Sequence, residues 1–171
     1  MDWKSKIRDI PDFPQPGILF RDITPLLADG PMYHAAIAHL ADFAKTLQVE
    51  VVMGPEARGY VVGAPLAHHL GVGFVPVRKK GKLPAETVSV EYQLEYGTDV
   101  LEIHKDALRP GQRVLVADDL LATGGTIGAT VELARKLGGQ VVGAAFFIEL
   151  QALRGRDKLK GIAIEALAQY S

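Results

Sequence analysis

There is no cysteine among the 171 residues, which rules out disulfides, thiolate metal sites and a cysteine nucleophile, and is compatible with a reducing compartment. An excess of one charge is missing as well. Nineteen basic against twenty acidic side chains leave a net charge of -1, so the molecule as a whole has no pull toward nucleic acid or anionic membrane, and any basic site must be local. No stretch approaches the ~20 apolar residues of a membrane span. Met1-Asp2-Trp3-Lys4-Ser5-Lys6 leads into charged residues and Pro11 with no apolar leader core. Neither export nor membrane insertion is expected, and the cytoplasm is the expected compartment. Internal repeats, low-complexity tracts and linkers are absent too. What is present is a globular balance, 48% apolar and 23% charged, in one domain over 1–171. A chain of this length buries roughly two thirds of the surface its unfolded form exposes.

Along the chain, Tyr33, Ile37, Leu40, Ala44 and Leu47 recur at steps of three and four, which predicts a helix over 31–47. Val49 to Met53 is a β-branched run stopped by Gly54-Pro55, and a second helix is expected from Gly59 to Leu70. The pattern recurs: an apolar run from Phe74 to Val77, a strand from Arg113 to Asp118 with a helix from Thr126 to Leu137, and a strand from Val141 to Ile148. Such alternation predicts an α/β fold, a doubly wound, mainly parallel sheet flanked by helices, with ligands at strand C-terminal ends. Residues 78–104 break the order at Gly81, Pro84 and Gly97, and Thr87-Val88-Ser89-Val90 alternates like an exposed ribbon. A mobile loop or hairpin is expected there.

The chemistry concentrates in Val114-Leu115-Val116-Ala117-Asp118-Asp119-Leu120-Leu121-Ala122-Thr123-Gly124-Gly125-Thr126. It reads as a buried strand, two acids at its end, and a Gly-Thr loop opening a helix. Helix N-terminal amides with the hydroxyls of Thr123 and Thr126 suit a phosphate monoester, and Gly124 and Gly125 let the main chain approach it. Asp118 and Asp119 are acceptors for a neighbouring diol, so the layout suits a ribose 5-phosphate lying along the loop. Without a wider resemblance, these pieces read equally as a tight turn at Gly124-Gly125 and a solvated strand end at Asp118-Asp119. Competing motifs fail, since no Gly-x4-Gly-Lys-Ser/Thr loop occurs and no Gly-x-Gly-x-x-Gly opens a helix.

This segment resembles the signature of the type I phosphoribosyltransferase family, an apolar strand, paired acids and a Thr-Gly turn that binds phosphoribosyl pyrophosphate. The resemblance covers nearly the whole chain and points to members that use adenine. It implies purine salvage: adenine N9 displaces pyrophosphate from C1 of the ribose, giving AMP. Mg2+ would bridge pyrophosphate and ribose oxygens without a dedicated cluster of protein ligands, and the assembly would be a homodimer. Phe13-Pro14-Gln15-Pro16-Gly17-Ile18-Leu19-Phe20-Arg21-Asp22 is similar to the family's purine-binding element. That makes residues 1–30 a small N-terminal hood, with Phe20 stacked on the base and Leu19 and Arg21 beside it. Gly54-Pro55-Glu56-Ala57-Arg58-Gly59-Tyr60 matches the loop that holds the leaving group through Glu56, Ala57 and Arg58. In relatives this loop often has a cis peptide, here expected between Glu56 and Ala57. Many relatives carry a hydroxyl residue at Ala57, so one hydrogen bond is lost here.

Arg78-Lys79-Lys80-Gly81-Lys82 is by default a solvated basic face. Beside pyrophosphate, Arg78, Lys79 and Lys82 become clamps. By resemblance, the loop through Tyr92, Glu95 and Tyr96 closes over the substrate and excludes water, with Tyr96 against the pyrophosphate. Relatives that use 6-oxopurines have an aspartate where this chain has Ala122, and alanine exchanges no proton. Glu95 is therefore expected to take the purine proton, with Arg58 as the second catalytic group. Without the resemblance, Phe20 reads as core and Glu95 as a solvated loop acid. Two other functions stay open: transfer to another base, such as xanthine or a pyrimidine, and a non-catalytic sensor of phosphoribosyl pyrophosphate that controls nucleic acid. The sensor would need a basic face or an added domain that this chain lacks, so no nucleic-acid partner is expected. The five histidines show no metal-binding spacing, and each is expected to be structural.

Overall fold

The computed structural model describes residues 1–94 and 96–171. After a 3-10 turn at Trp3–Lys6, β1 (Arg8–Pro11) and β2 (Leu19–Asp22) pair antiparallel as a small separate ribbon, the N-terminal hood. Then follow α1 (Thr24–Ala28), α2 (Gly30–Thr46), β3 (Val51–Pro55), α3 (Tyr60–Leu70), β4 (Gly73–Lys79), β5 (Thr87–Gln93) and β6 (Thr98–His104). The chain ends with β7 (Arg113–Leu121), α4 (Gly125–Lys136), β8 (Gln140–Leu150), two 3-10 turns at Gln151–Leu153 and Gly155–Lys158, and β9 (Ala163–Tyr170).

Local chemistry sets the boundaries. Asp29 caps α2 by accepting a 3.1 Å hydrogen bond from the Met32 N–H, and Pro31 sits in the first turn, where its missing donor costs nothing. The face carrying Ile37, Leu40, Ala41 and Ala44 is buried. Strands β5 to β9 with β3 and β4 make one seven-stranded sheet in the order β5-β6-β4-β3-β7-β8-β9, parallel from β4 to β9 and antiparallel at β4-β6-β5. Because successive strand residues face opposite sides, each central strand feeds two cores. Val114, Val116 and Phe146 pack under α4, whereas Leu115, Ala117 and Phe147 pack under α2 and α3. Full burial of a ring such as Phe146 or Phe147 contributes ~1.5–3 kcal/mol.

The expected doubly wound sheet is therefore present, with three differences. Within residues 78–104, β5 and β6 pair antiparallel as a hairpin, one of the two forms expected, but the hairpin belongs to the main sheet: β6 pairs with β4 through Arg78↔Glu102 and Lys79↔Leu101, and β5 extends the sheet beyond it. Val90 is buried and Val88 packs beside it, because the alternation read as exposed faces α4, where the Lys136 ammonium also donates to the Ser89 carbonyl at 2.6 Å. Strand β7 runs on to Leu121, held by β8 through Asp118↔Phe146 and Leu121↔Glu149, so the paired acids lie inside a strand and not at its end. Finally, β9 completes the sheet edge. Its alternation is diluted by Ala163, Ala166 and Ala168, and it was not among the strands expected.

Candidate active site

From β3 the chain steps to β4 on one side, and β7 later fills the other, so the order of strands reverses at β3. Loops leaving the C-terminal ends of β3 and β7 splay apart and leave a crevice, the usual ligand position in such sheets. The β3 loop contains the cis peptide joining Glu56 to Ala57, as the resemblance implied. The β7 loop turns at Gly124, whose φ of 85° lies in the left-handed region that favours glycine. Gly124 caps α4 and leaves its first amides facing the crevice.

Three adjoining cavities meet there. One of about 170 Å³ is the β7 loop itself, Asp118 through Ile127. A second, about 390 Å³, lies between Glu56, Ala57, Asp118 and Thr126. The third, about 560 Å³ and mostly apolar, is a slot under the hood walled by Ile10, Phe13, Phe20, Ile23, Leu27 and Val61. Arg58 and Asp119 border all three. The Arg58 Nε lies 2.9 Å from the Asp119 carboxylate, and its guanidinium carbon sits 5.5 Å from the centre of the Phe20 ring. Phe13 meets Phe20 edge-on with centroids 5.1 Å apart, the arrangement aromatic quadrupoles favour.

The charges are arranged in carboxylate-centred groups. Burial, and then the neighbouring Asp119 carboxylate, push the Asp118 carboxyl well above its usual range. Burial works in the same direction on Glu56. There the Lys79 main-chain N–H, donating at 2.8 Å, and the Lys82 and Arg78 charges outweigh it and hold the carboxyl below its ordinary value. The Lys82 ammonium lies 3.2 Å and the Arg78 Nε 3.4 Å from Glu56, while Lys79 pairs with Asp99. The Arg78 Nε is buried with no hydrogen-bond partner among the described residues. Four of the residues expected to meet pyrophosphate thus stand together at the root of the β4–β5 connection, with their cations resting on protein carboxylates.

Most of the expected site converges. Asp118, Asp119, Ala122, Thr123, Gly124, Gly125 and Thr126 line the loop cavity, and Glu56, Ala57 and Arg58 face them across the crevice. A methyl group on Gly125 would sit 3.7 Å from the Gln93 carbonyl and 3.9 Å from the Tyr92 ring, so the tip of β5 stands over the loop. Phe20 and Arg21 border the slot, but the Arg21 guanidinium pairs with Asp9 and stacks on Tyr170, 3.9 Å from its centroid. Leu19 is 47% exposed and does not line the slot, and Tyr96 is 87% exposed. Glu95 lies outside the described residues. The slot's other walls were not expected. Phe13 stood within the quoted purine-binding element, whereas Ile10, Leu27 and Val61 come from three elements that only packing unites. Three of the five histidines, His34, His68 and His69, border one groove of about 600 Å³ between α2 and α3. His34 lies a helix away in sequence, but its ring comes within 6.1 Å of His69. No group of three or more potential metal ligands occurs among the described residues.

A family model described as phosphoribosyl transferase domain matches residues 27–165. An adenine phosphoribosyltransferase of Brevibacillus brevis is 64% identical over 170 residues, covering 99% of this chain and 100% of the relative. Among solved structures, that of adenine phosphoribosyltransferase from Thermoanaerobacter pseudethanolicus superposes with a TM-score of 0.95 at 56% identity, covering 99% of this chain and 98% of the other. The Saccharomyces cerevisiae enzyme, complexed with D-2,5-dideoxy-2,5-imino-altritol 1,6-bisphosphate and adenine, superposes at 0.91 with 38% identity over 97% of this chain and 96% of its own.

Proposed function

The chain belongs to the phosphoribosyl transferase family, in its adenine phosphoribosyltransferase branch, and we infer from that premise how its three cavities divide one reaction. It is a purine-salvage pentosyltransferase that moves the 5-phosphoribosyl group of phosphoribosyl pyrophosphate to adenine, giving AMP and pyrophosphate. The observation that carries the division is the meeting of an apolar slot, a phosphate loop and the loop after β3 at Arg58 and Asp119, with Arg78 and Lys82 held beside that last loop by Glu56. In this reading the 5-phosphate takes the amides and hydroxyls of Ala122 to Thr126, and the ribose diol takes Asp118 and Asp119. The pyrophosphate takes Glu56, Ala57 and Arg58 with Arg78, Lys79 and Lys82. Adenine takes the face of Phe20, and the presence of adenine and a bisphosphate together in the yeast relative supports neighbouring base and phosphate subsites.

Bond making needs no nucleophilic side chain. The N9 lone pair of adenine forms a bond to C1 as the C1–O bond to pyrophosphate breaks, and positive charge builds on the sugar between them. Fixed geometry and charge neutralisation at the leaving group supply the acceleration. Arg58 has to leave Asp119 and Phe20 to reach the pyrophosphate, which at once frees a carboxylate for the diol and a ring for the base. Glu95 takes the N9 proton, since Ala122 has none to exchange. Closure of the segment carrying Glu95 and Tyr96 brings both to the substrate, and the Tyr92 ring near Gly125 supports the direction of that closure. The protein's own donor set suits Mg2+ as a cation held mainly by substrate: the crevice carboxylates are Asp118, Asp119 and Glu56, of which Asp119 is paired with Arg58 and Glu56 with Lys82 and Arg78. When bound it neutralises pyrophosphate charge. A homodimer in the cytoplasm is the assembly and compartment we propose. No helix among the described residues is long and apolar enough to cross a membrane.

A base-panel assay tests this reading. With phosphoribosyl pyrophosphate and Mg2+, adenine should yield AMP and pyrophosphate while hypoxanthine, xanthine and pyrimidines yield little. A preference for hypoxanthine would overturn the assignment of the slot.

A further inference from the structure

The phosphate loop has a backing that lies outside the three cavities. Behind it runs the turn that returns from β8 to β9. A methyl group on Gly124 would meet the Gly155 carbonyl oxygen at 2.8 Å and its Cα at 3.2 Å. Reciprocally, a methyl on Gly155 would meet the Ala122 carbonyl oxygen at 2.5 Å and the Leu121 side chain at 2.7 Å. Two backbones therefore touch with no side chain between them, and Gly155 is buried. Whatever fixes Gly155 fixes the loop.

Glu149 and Arg156 fix it. Glu149 lies in β8 directly beside Leu121, the last residue of β7 before the loop, and its side chain is only 3% exposed. Arg156, next to Gly155, sets its Nε and one Nη on the two Glu149 oxygens at 2.6 and 2.7 Å. A two-point fork of this kind fixes direction as well as distance. We propose that Glu149 and Arg156 are positioning residues for the transfer reaction, acting through Gly155 to set the main chain of the 122–124 turn against the ribose 5-phosphate. The proposal rests on the reading that this loop holds the 5-phosphate. In the sheet β7 separates β8 from β3, so the pair stands a strand away from the pyrophosphate loop after β3, and that asymmetry makes it testable.

Glu149→Gln keeps the shape of the buried side chain and leaves Arg156, whose side chain is 43% exposed, free to be hydrated, so the fold is retained. Calorimetry with ribose 5-phosphate and, separately, with Mg2+ pyrophosphate reads the effect. Misplacing a binding group by about 1 Å costs up to ~100-fold. Ribose 5-phosphate should weaken by about 10-fold or more in Glu149→Gln and by more in Gly155→Ala, and pyrophosphate should change less than about 2-fold. Arg156→Lys, which keeps the charge but not the fork, should fall between wild type and Glu149→Gln. In turnover, KM for phosphoribosyl pyrophosphate should rise more than kcat falls. Parallel losses for both ligands, or a lowered melting temperature with both affinities intact, would mean a purely structural pair and overturn the proposal. If Thr123→Ala with Thr126→Ala also leaves ribose 5-phosphate binding unchanged, the phosphate reading of the loop fails, which is a different result from an inert Glu149→Gln beside a sensitive loop.

Discussion

Replacing Arg58 by alanine should push two ligands in opposite directions. In the free protein the guanidinium rests on Asp119 at 2.9 Å and over the Phe20 ring at 5.5 Å, with 54% of the side chain exposed. Water screens a pair that open, so it contributes no more than ~0.2–1 kcal/mol. A charge-assisted hydrogen bond to pyrophosphate contributes ~1.5–3 kcal/mol. Arg58 also gives up its contact with the Phe20 ring, ~0.5–1 kcal/mol, so moving it to pyrophosphate gains at most roughly 2.3 kcal/mol, and its loss should weaken phosphoribosyl pyrophosphate by up to about 50-fold. Adenine gains instead, because it no longer displaces a cation from the face of Phe20. An exposed cation–π contact of ~0.5–1 kcal/mol converts to a 2-fold to 5-fold tighter complex. AMP, which carries the base but no pyrophosphate, should hold steady or tighten slightly. Titration calorimetry of Arg58→Ala against phosphoribosyl pyrophosphate, AMP and adenine measures all three. A uniform loss for the three ligands would remove Arg58 from the leaving-group site and refute its exchange between Asp119 and pyrophosphate.

Asp118→Asn should stabilise the fold while lowering turnover. Burial and Asp119 raise the folded-state pKa of Asp118. Between the unfolded carboxyl value of ~3.9 and that raised value, the folded chain binds more protons than the unfolded one, so stability falls as pH rises through this window. The neutral amide avoids that loss, and the melting-temperature gap between mutant and wild type should widen from acid toward neutral pH; a gap independent of pH would contradict the assignment. Glu95→Gln should leave ligand affinities nearly unchanged and lower single-turnover AMP formation by ~100-fold to 10,000-fold, and a chemical step equal to wild type across pH would exclude Glu95 as the proton acceptor.

Segments whose meaning is local were legible in the sequence. The run from Val114 to Thr126 announces a strand, a turn and a helix start because each depends on near neighbours: β-branched residues fit a pleat, Gly124 takes a positive φ, and the next amides have no carbonyl four residues back to bond. Helix α2 showed for the same reason, through its 3.6-residue period. The purine and leaving-group roles proposed for Phe20 and Arg58 come only through resemblance, since Phe20 alone reads as core and Arg58 alone as surface. Tertiary structure decided the rest. Strand order brings the ends of β3 and β7 side by side, and it is long-range pairing that local pattern does not encode. The same pairing extended β7 to Leu121 and set Asp118, half-buried, beside Asp119, which raises its proton affinity without changing the sequence around it. Ile10, Leu27 and Val61 form one wall only after the hood, α1 and α3 have packed. Gly155 counts for the phosphate loop only because β8 and its return turn lay its backbone against Gly124, 31 residues earlier in the chain. Residue type and near neighbours set which chemistry this chain holds, and only the packing of distant segments set where that chemistry meets.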